Sequence, residues 1–417
     1  LITRLEEKIN SAQRELNYMK NAEKISAAEK RLKQDQEELE LKVNSFIQKL
    51  KKKTNFIIIQ GGSYAKNTWL KGDYDIDIFV KFPLDYKNKD ISKILYSKIK
   101  SLKPVIIHGS RDYFQIKDKN ITYEIIPVLN IKNSKQAVNI MDVSPLHTEW
   151  VKKNIKGLED EVRIIKQFCI ANNVYGAESY IRGFSGYVLE VLIAHYKSFK
   201  NLIRNAVKWN INHVIDINKF YIRKNIFANL NASKISPLIV IDPVQENRNA
   251  AAALSLEKFN RFKELCKKYM HNPSDKFFET KKFDVNKLKE YNIIELIPLK
   301  GNRDVIGTKI LKIFEYIKMS LEREKIKIID SFWYWNEKSY LCYKVKLDKY
   351  KTHYGPLLNQ KEHLNKFRKK WKKYKLFKMK NKVYIKIKRS YNIKQYLNKL
   401  MKDKFIREKV SKISIKK

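Results

Sequence analysis

The chain has 417 residues, 43% of them hydrophobic, and carries 88 Lys and Arg against 44 Asp and Glu, a formal net charge of +44. That length and apolar content suit two to four domains with real cores, and the basic surplus makes a polyanion, nucleic acid first, the expected partner, with A/T-rich coding bias accounting for part of the lysine. Three cysteines in no paired motif, seven histidines in no ligand cluster, and the lack of a signal peptide or any membrane-length apolar run argue against a disulfide framework, a zinc site and a membrane protein, and suit a reducing cytoplasm.

The first residue is Leu1, so a few native residues are expected to be missing before it. Residues 1–53 read as helix, rich in Glu, Lys and Leu, with Ser26-Ala-Ala-Glu29 as a capping box that starts a second helix. Over residues 55–131 the runs FIIIQ, DIDIFVKF, VIIHG and ITYEIIPVLNI are β-rich and alternate with turn residues and the helical ISKILYSKIKSL, which predicts a mixed α/β domain on a small sheet. Residues 145–272 turn helical in GLEDEVRIIKQFCIANN and GFSGYVLEVLIAHYKSFKNLIRNAVKW. From 273 onward short helices mix with strands such as KIKIIDSFWYWN and KSYLCYKVKL. Residues 361–417 hold 23 Lys and Arg against 3 Asp and Glu, interleaved with Phe367, Trp371, Tyr374, Phe377, Tyr384 and Tyr391. Basic side chains suit phosphates and aromatics suit bases, although most of these rings read as the core of a small α/β module.

Within DIDIFVKF, Asp75 and Asp77 fall two apart in a strand, so both carboxylates share one face. Like charges held that close need a neutralising partner. Paired strand carboxylates suit Mg²⁺-dependent phosphoryl or nucleotidyl transfer, in which two ions activate a hydroxyl and stabilise a leaving pyrophosphate. Glu124, mid-strand in ITYEIIPV, is the candidate third carboxylate. The Gly61-Gly62-Ser63 turn upstream offers backbone N–H groups and a hydroxyl to a triphosphate, and Lys66 adds charge from a short helix.

At these residues the sequence resembles the DNA polymerase β-like nucleotidyltransferases and, more narrowly, the class I (archaeal-type) CCA-adding enzymes, the tRNA nucleotidyltransferases. The resemblance runs through GSYAKNTWLKGDYDIDIFVKFP, YEIIPV, SPLHTEWV, EDEVRIIKQFCIANNVYGAESYIRGFSGYVLEVLI, VIDPVQENRNAAAALS and HYGP. It implies an α+β multidomain fold: a polymerase β-like head with a small mixed sheet over residues 1–144, a helical neck that recognises the nucleotide base over 145–272, an α/β body over 273–347, and a tail with the remainder of the body over 348–417. It implies metal-binding and catalytic roles for Asp75, Asp77 and Glu124, the last standing where Asp is usual. It implies nucleotide-binding roles for Gly62, Ser63, Lys66 (where Arg is usual), Ser144, His147, Lys166 and Tyr175, and base reading by Arg248. The HYGP turn, with His353, Gly355 and Pro356, is implied to contact tRNA.

Each of these residues also has a plainer reading from the sequence alone. His147 beside Pro145 reads as a helix cap, Lys166 as a solvated face residue, Tyr175 as packing, Arg248 as an ion-pair partner of nearby Asp242 or Glu246, and HYGP as a loop. The implied activity is template-independent CCA addition to tRNA from CTP and ATP with two Mg²⁺ ions, gripping the acceptor stem and T-loop corner, with a homodimer left open. A related poly(A) polymerase or oligoadenylate synthetase, a catalytically degenerate tRNA-binding protein, and a basic scaffold are the alternatives.

Overall fold

Leu39, Val43, Ile47 and Leu50 recur at three- and four-residue spacing and line the buried face of a helix, α1 (residues 37–53), in the computed structural model, which describes residues 37–72, 74–222, 225–280, 282–336 and 338–416. The capping box expected at Ser26–Glu29 lies outside the described residues. The chain divides into two compact units, one comprising Phe184–Phe277 and the described residues up to Ile170, the other Ala171–Gly183 and the described residues from Phe278.

In the first unit, β1 (Ile57–Gln60), α2 (Gly62–Ala65), β2 (Tyr74–Phe82), α3 (Ile91–Ile99), β3 (Val105–Ile107), β4 (Tyr113–Asp118) and β5 (Ile121–Leu129) build a five-stranded sheet of order β1-β2-β5-β4-β3. Only β2 and β5 run parallel, the other neighbours being antiparallel. A parallel pair needs a crossover, which α3 supplies, capped by the Asp90 side chain accepting the Lys93 N–H. Strand alternation sorts the residues cleanly. Ile76, Ile78, Val80 and Phe82 of β2 and Ile121, Tyr123 and Ile125 of β5 bury against α1 and α3, with Phe46 stacked on Tyr123 at 3.9 Å. The opposite face carries Asp75, Asp77 and Glu124 at one end and the apolar Phe79, Ile126 and Val128 at the other. β4, broken by polar residues, was not among the strands expected from the sequence.

The same unit continues with α4 (Ser144–Asn154), α5 (Glu159–Ala171), α6 (Gly186–Tyr196), α7 (Phe199–Ala206), β6 (His213–Ile215), α8 (Ile226–Asn229), β7 (Leu238–Val240) and α9 (Leu256–His271). GFSGYVLEVLIAHYKSFKNLIRNAVKW is two helices, because Lys197 adopts φ +66° and Ser198 caps α7 through the Asn201 N–H. β6 and β7 form a short parallel pair inside a stretch that reads as helical.

The second unit holds β8 (Asn292–Pro298), α10 (Arg303–Arg323), β9 (Lys327–Trp335), β10 (Ser339–Lys346), β11 (Tyr350–Leu357), α11 (Lys361–Lys370), β12 (Leu376–Met379), β13 (Lys382–Lys388), α12 (Ile393–Leu400), α13 (Lys404–Arg407) and β14 (Val410–Ile415). Its sheets have orders β14-β8-β10-β9 and β11-β13-β12. α10 turns Ile310, Ile313, Phe314, Ile317 and Leu321 into the core of the first sheet. The Ala171–Gly183 segment joins this unit through Ser179, whose N–H and hydroxyl donate to Asp304 at 3.0 and 2.8 Å.

The expected HYGP turn is instead part of β11. The ladder to β13 shifts register between Tyr354 and Leu357, which accommodates Pro356, a residue with no N–H to give. Gly355 lets the strand pass under α11, since a Cβ there would lie 2.9 Å from the Phe367 ring and 2.8 Å from Val383. His353 lies near-parallel to the Phe367 ring, 5.8 Å away, and beside Trp371 at 4.9 Å. The C-terminal aromatics pack on one another, Phe377 on Tyr384 at 5.2 Å, and are half-buried or exposed rather than deep core.

Candidate active site

Because β2 and β5 are parallel and in register, Asp77 stands beside Glu124 and Asp75 beside Thr122. From β4, Gln115 stands on the other side of Glu124 and its Nε2 donates to Glu124 Oε1 at 2.6 Å. Burial is the main reason the Asp77 carboxyl is pushed up to about 7; the neighbouring Glu124 adds to it and the Lys66 charge opposes it. Burial also raises Glu124. Tyr113 of β4 is pushed up to about 12, by burial first and then by Glu124, Asp77 and Asp75, so one phenol feels all three carboxylates.

A buried pair that resists double ionisation is the situation a hard divalent cation relieves, and carboxylate oxygens are the donors such a cation takes. Asp77 and Glu124 converge and Asp75 follows on their face, so the residues fit a divalent cation. Among the described residues no three His, Cys, Asp or Glu side chains already form a ligand group.

Gly61 donates its N–H to the Asp77 carbonyl at 2.8 Å. Gly62 sits at φ +59°, and a Cβ there would fall 1.6 Å from Asp77 Oδ2. Gly62 is therefore required by the carboxylate, and Gly61 by the Phe79 ring that a Cβ there would strike, whatever else their N–H groups do. Ser63 follows in α2, half-buried, with its carbonyl accepting the Thr68 N–H at 3.0 Å.

Lys66, the C-cap of α2, places its Nζ 2.6 Å from Glu190 Oε2. Lys166 of α5 lies 3.3 Å from Glu190 Oε1 and donates to the Thr68 carbonyl and hydroxyl, each at 3.0 Å. Lys166 is thus a buried ion-pair member and not a solvated face residue.

A second constellation gathers on Asp242, just beyond β7. His147 Nε2 of α4 lies 2.9 Å from Asp242 Oδ2, the Arg248 guanidinium donates to the same oxygen, and the Tyr187 hydroxyl of α6 donates to Oδ1 at 3.0 Å. Burial opposes ionisation of Asp242, yet His147, Arg248 and the Val244 N–H outweigh it and hold the carboxyl at about 2. The His147 ring also packs on Tyr187 at 4.4 Å. Tyr187 and Glu190 are one turn apart on α6, so a single helix face serves both clusters.

Ser144 opens α4, half-buried, its carbonyl accepting the Thr148 hydroxyl at 3.1 Å. Tyr175 lies in the Ala171–Gly183 segment of the second unit, half-buried. The residues missed from sequence are Gln115, Thr68, Tyr187 and Glu190. Glu190 alone left a readable signal, a lone acid in the wholly apolar run VLEVLIA. Apart from these sites, a cleft of about 1030 Å³ along β1 and α4 is lined by Lys51, Lys81, Lys132, Lys152 and Lys153 and by none of the three carboxylates.

Three family models match the chain: "Nucleotidyltransferase domain" over residues 40–140, "tRNA nucleotidyltransferase, second domain" over 160–279, and "CCA-adding enzyme, C-terminal domain" over 299–412. The CCA-adding enzyme of Nanoarchaeum equitans is 38% identical over 311 residues, 72% of this chain and 76% of that protein. That of Methanosarcina barkeri is 30% identical over 332 residues, 74% and 71% of the two chains. That of Archaeoglobus fulgidus is 38% identical over 222 residues, 53% of this chain and 48% of its own. Among solved structures, the Cid1 poly(U) polymerase aligns with a TM-score of 0.47 at 12% identity, covering 60% of this chain and 94% of that one.

Proposed function

The chain belongs to the CCA-adding enzyme family of tRNA nucleotidyltransferases, and on that premise we propose that it adds C, C and A in turn, without a nucleic-acid template, to the 3′ end of tRNA from CTP and ATP. The observation that carries this reading is the in-register pair Asp77 and Glu124, with Asp75 on the same face and Gly62 pressed against Asp77.

In the proposed reaction the tRNA 3′-hydroxyl attacks the α-phosphate, the new O–P bond forms in line with the breaking bond, and pyrophosphate leaves. Asp75, Asp77 and Glu124 would hold divalent metal, proposed as two Mg²⁺ ions, which would supply charge neutralisation for the triphosphate and for the attacking hydroxyl. Glu124 orients the attacking hydroxyl, itself held by Gln115, and takes its proton. Ser63 and Lys66 face the phosphates, and Ser144, His147, Lys166 and Tyr175 are the proposed nucleotide contacts from beyond the sheet.

Cytosine and adenine share an exocyclic amine beside a ring-nitrogen acceptor. Arg248, anchored by Asp242, keeps donors for that ring nitrogen, which uracil and guanine present as an N–H. The four-part division into head, neck, body and tail belongs to this proposal, as do tRNA contacts by His353, Gly355 and Pro356, shape-based reading of the acceptor stem and T-loop corner, a homodimer and a cytoplasmic location. No helix among the described residues is long and apolar enough to cross a membrane.

The test is extension of a labelled tRNA transcript that lacks CCA. CTP alone should add two nucleotides, and CTP with ATP should add three and stop. A homopolymer would favour a poly(A) polymerase, and no incorporation would favour an RNA-binding protein. Either result overturns the reading.

A further inference from the structure

From Val188 to Ala194 helix α6 is buried on every side, and Glu190 is the only charged residue in that stretch, its side chain fully buried. An uncompensated carboxylate in such a place is strongly destabilising, so its partners identify its use. Oε1 accepts the Thr68 hydroxyl at 2.9 Å and lies 3.3 Å from Lys166 Nζ, while Oε2 lies 2.6 Å from Lys66 Nζ. An ammonium has three donors. Lys166 has an acceptor for each: the Thr68 carbonyl, the Thr68 hydroxyl and Glu190. Among the described residues Lys66 donates to Glu190, which leaves two donors for a ligand. Lys66 also follows α2 directly, four residues beyond the Gly62 that abuts Asp77, and its charge acts on the Asp77 carboxyl. Lys166 is buried deeper, its charged form disfavoured by burial and by Lys66 and sustained by Glu190.

We propose that Glu190 is a positioning residue that fixes Lys66 toward the nucleotide's phosphates through Oε2, while Lys166 and Thr68 hold Glu190 through Oε1. This role for Glu190 rests on the functional reading above and sharpens it, because it traces the aim of Lys66 to one buried carboxylate. Charge balance supports it. Two buried ammoniums facing each other would repel, and one intervening carboxylate leaves the group with a single net positive charge beside the acidic face.

The experiment is a double-mutant cycle on the full chain with Glu190→Gln, Lys66→Met and both, reading kcat and the KM for CTP and for tRNA. The protection CTP gives against thermal unfolding is recorded alongside. Glu190→Gln should raise the CTP KM about tenfold or more, the usual weight of a charged hydrogen bond, and leave the tRNA KM within about twofold. The double variant should be no worse than Lys66→Met alone. Multiplying effects, an equal rise in both KM values, or tighter CTP binding in Glu190→Gln would each overturn the proposal, the last because it would make Glu190 a competitor of the triphosphate. If Glu190→Gln does not fold, Thr68→Val takes its place in the cycle, with a smaller CTP effect that again vanishes beside Lys66→Met. Should the unaltered protein incorporate nothing yet still be protected by CTP, the functional reading falls and the cycle is read on protection alone, where additivity sinks the proposal.

Discussion

Replacing Gly62 by Ala should separate the stability of the head from its chemistry. The backbone there is left-handed at φ +59°, which costs an L-residue about 1–2 kcal/mol. The added methyl would lie 1.6 Å from Asp77 Oδ2. The obstructing atom is the tip of a rotatable side chain, so the cheapest relief turns the Asp77 carboxyl away from Glu124. A stability loss of that size should lower the melting temperature by roughly 2–8 °C. Displacing a reacting group by about 1 Å should cut the rate about 100-fold. Calorimetry and CTP incorporation, measured on the same preparation, read the two effects separately. Incorporation within about threefold of the unaltered protein, alongside the expected drop in melting temperature, would refute the placement of Asp77 in the reaction centre.

Asp77→Asn should stabilise the protein increasingly as pH rises. The unfolded chain releases this proton near the ordinary aspartate value while the folded one holds it to about 7, so stability falls across that window and Asn removes the loss, at most about 4 kcal/mol by pH 8. Urea titrations at pH 4.5 and 8 in chelator check this, and Mg²⁺ should stabilise the parent but not the variant. Asp242→Asn unties Arg248, His147 and Tyr187 from one carboxylate, and discrimination between CTP and UTP should fall about tenfold in competition assays. Gly355→Ala forces a methyl to within 2.8 Å of Val383 and 2.9 Å of Phe367, an overpacking that should cost about 1–3 kcal/mol in a thermal melt. Affinity for tRNA should drop about 100-fold or more between 50 and 200 mM salt, and a flat plot would remove the basic surface from RNA binding.

Period-two alternation in DIDIFVKF placed Asp75 and Asp77 on one face, because a strand with one face in a core has no alternative register. Glu124 was legible for the same reason, as the single acid in an apolar run. β4 was not, since YFQIKD is half polar and stands between β3 and β5 with Gln115 turned to the acidic face. The β6–β7 pair depends on a partner strand further along the chain, to which local periodicity is blind, whereas the break at Lys197 is marked only by the Ser198 cap inside an otherwise continuous helical pattern. HYGP reads as a turn because Gly and Pro punctuate chains, yet here a register shift and a crowded helix explain both residues. Lys66 and Lys166 were legible as charges, but their shared counter-ion on a third helix, 124 and 24 residues away in sequence, was not.

The most direct test of the acidic face as a reaction centre sets Asp77→Ala and Asp75→Ala beside the parent protein, measuring CTP incorporation into tRNA lacking CCA and, separately, the affinity for that tRNA. The expected result is incorporation reduced at least about 1000-fold with tRNA affinity within about twofold, as for loss of a group needed only in the transition state. Incorporation that survives both substitutions, or affinity that falls in step with it, would contradict the assignment.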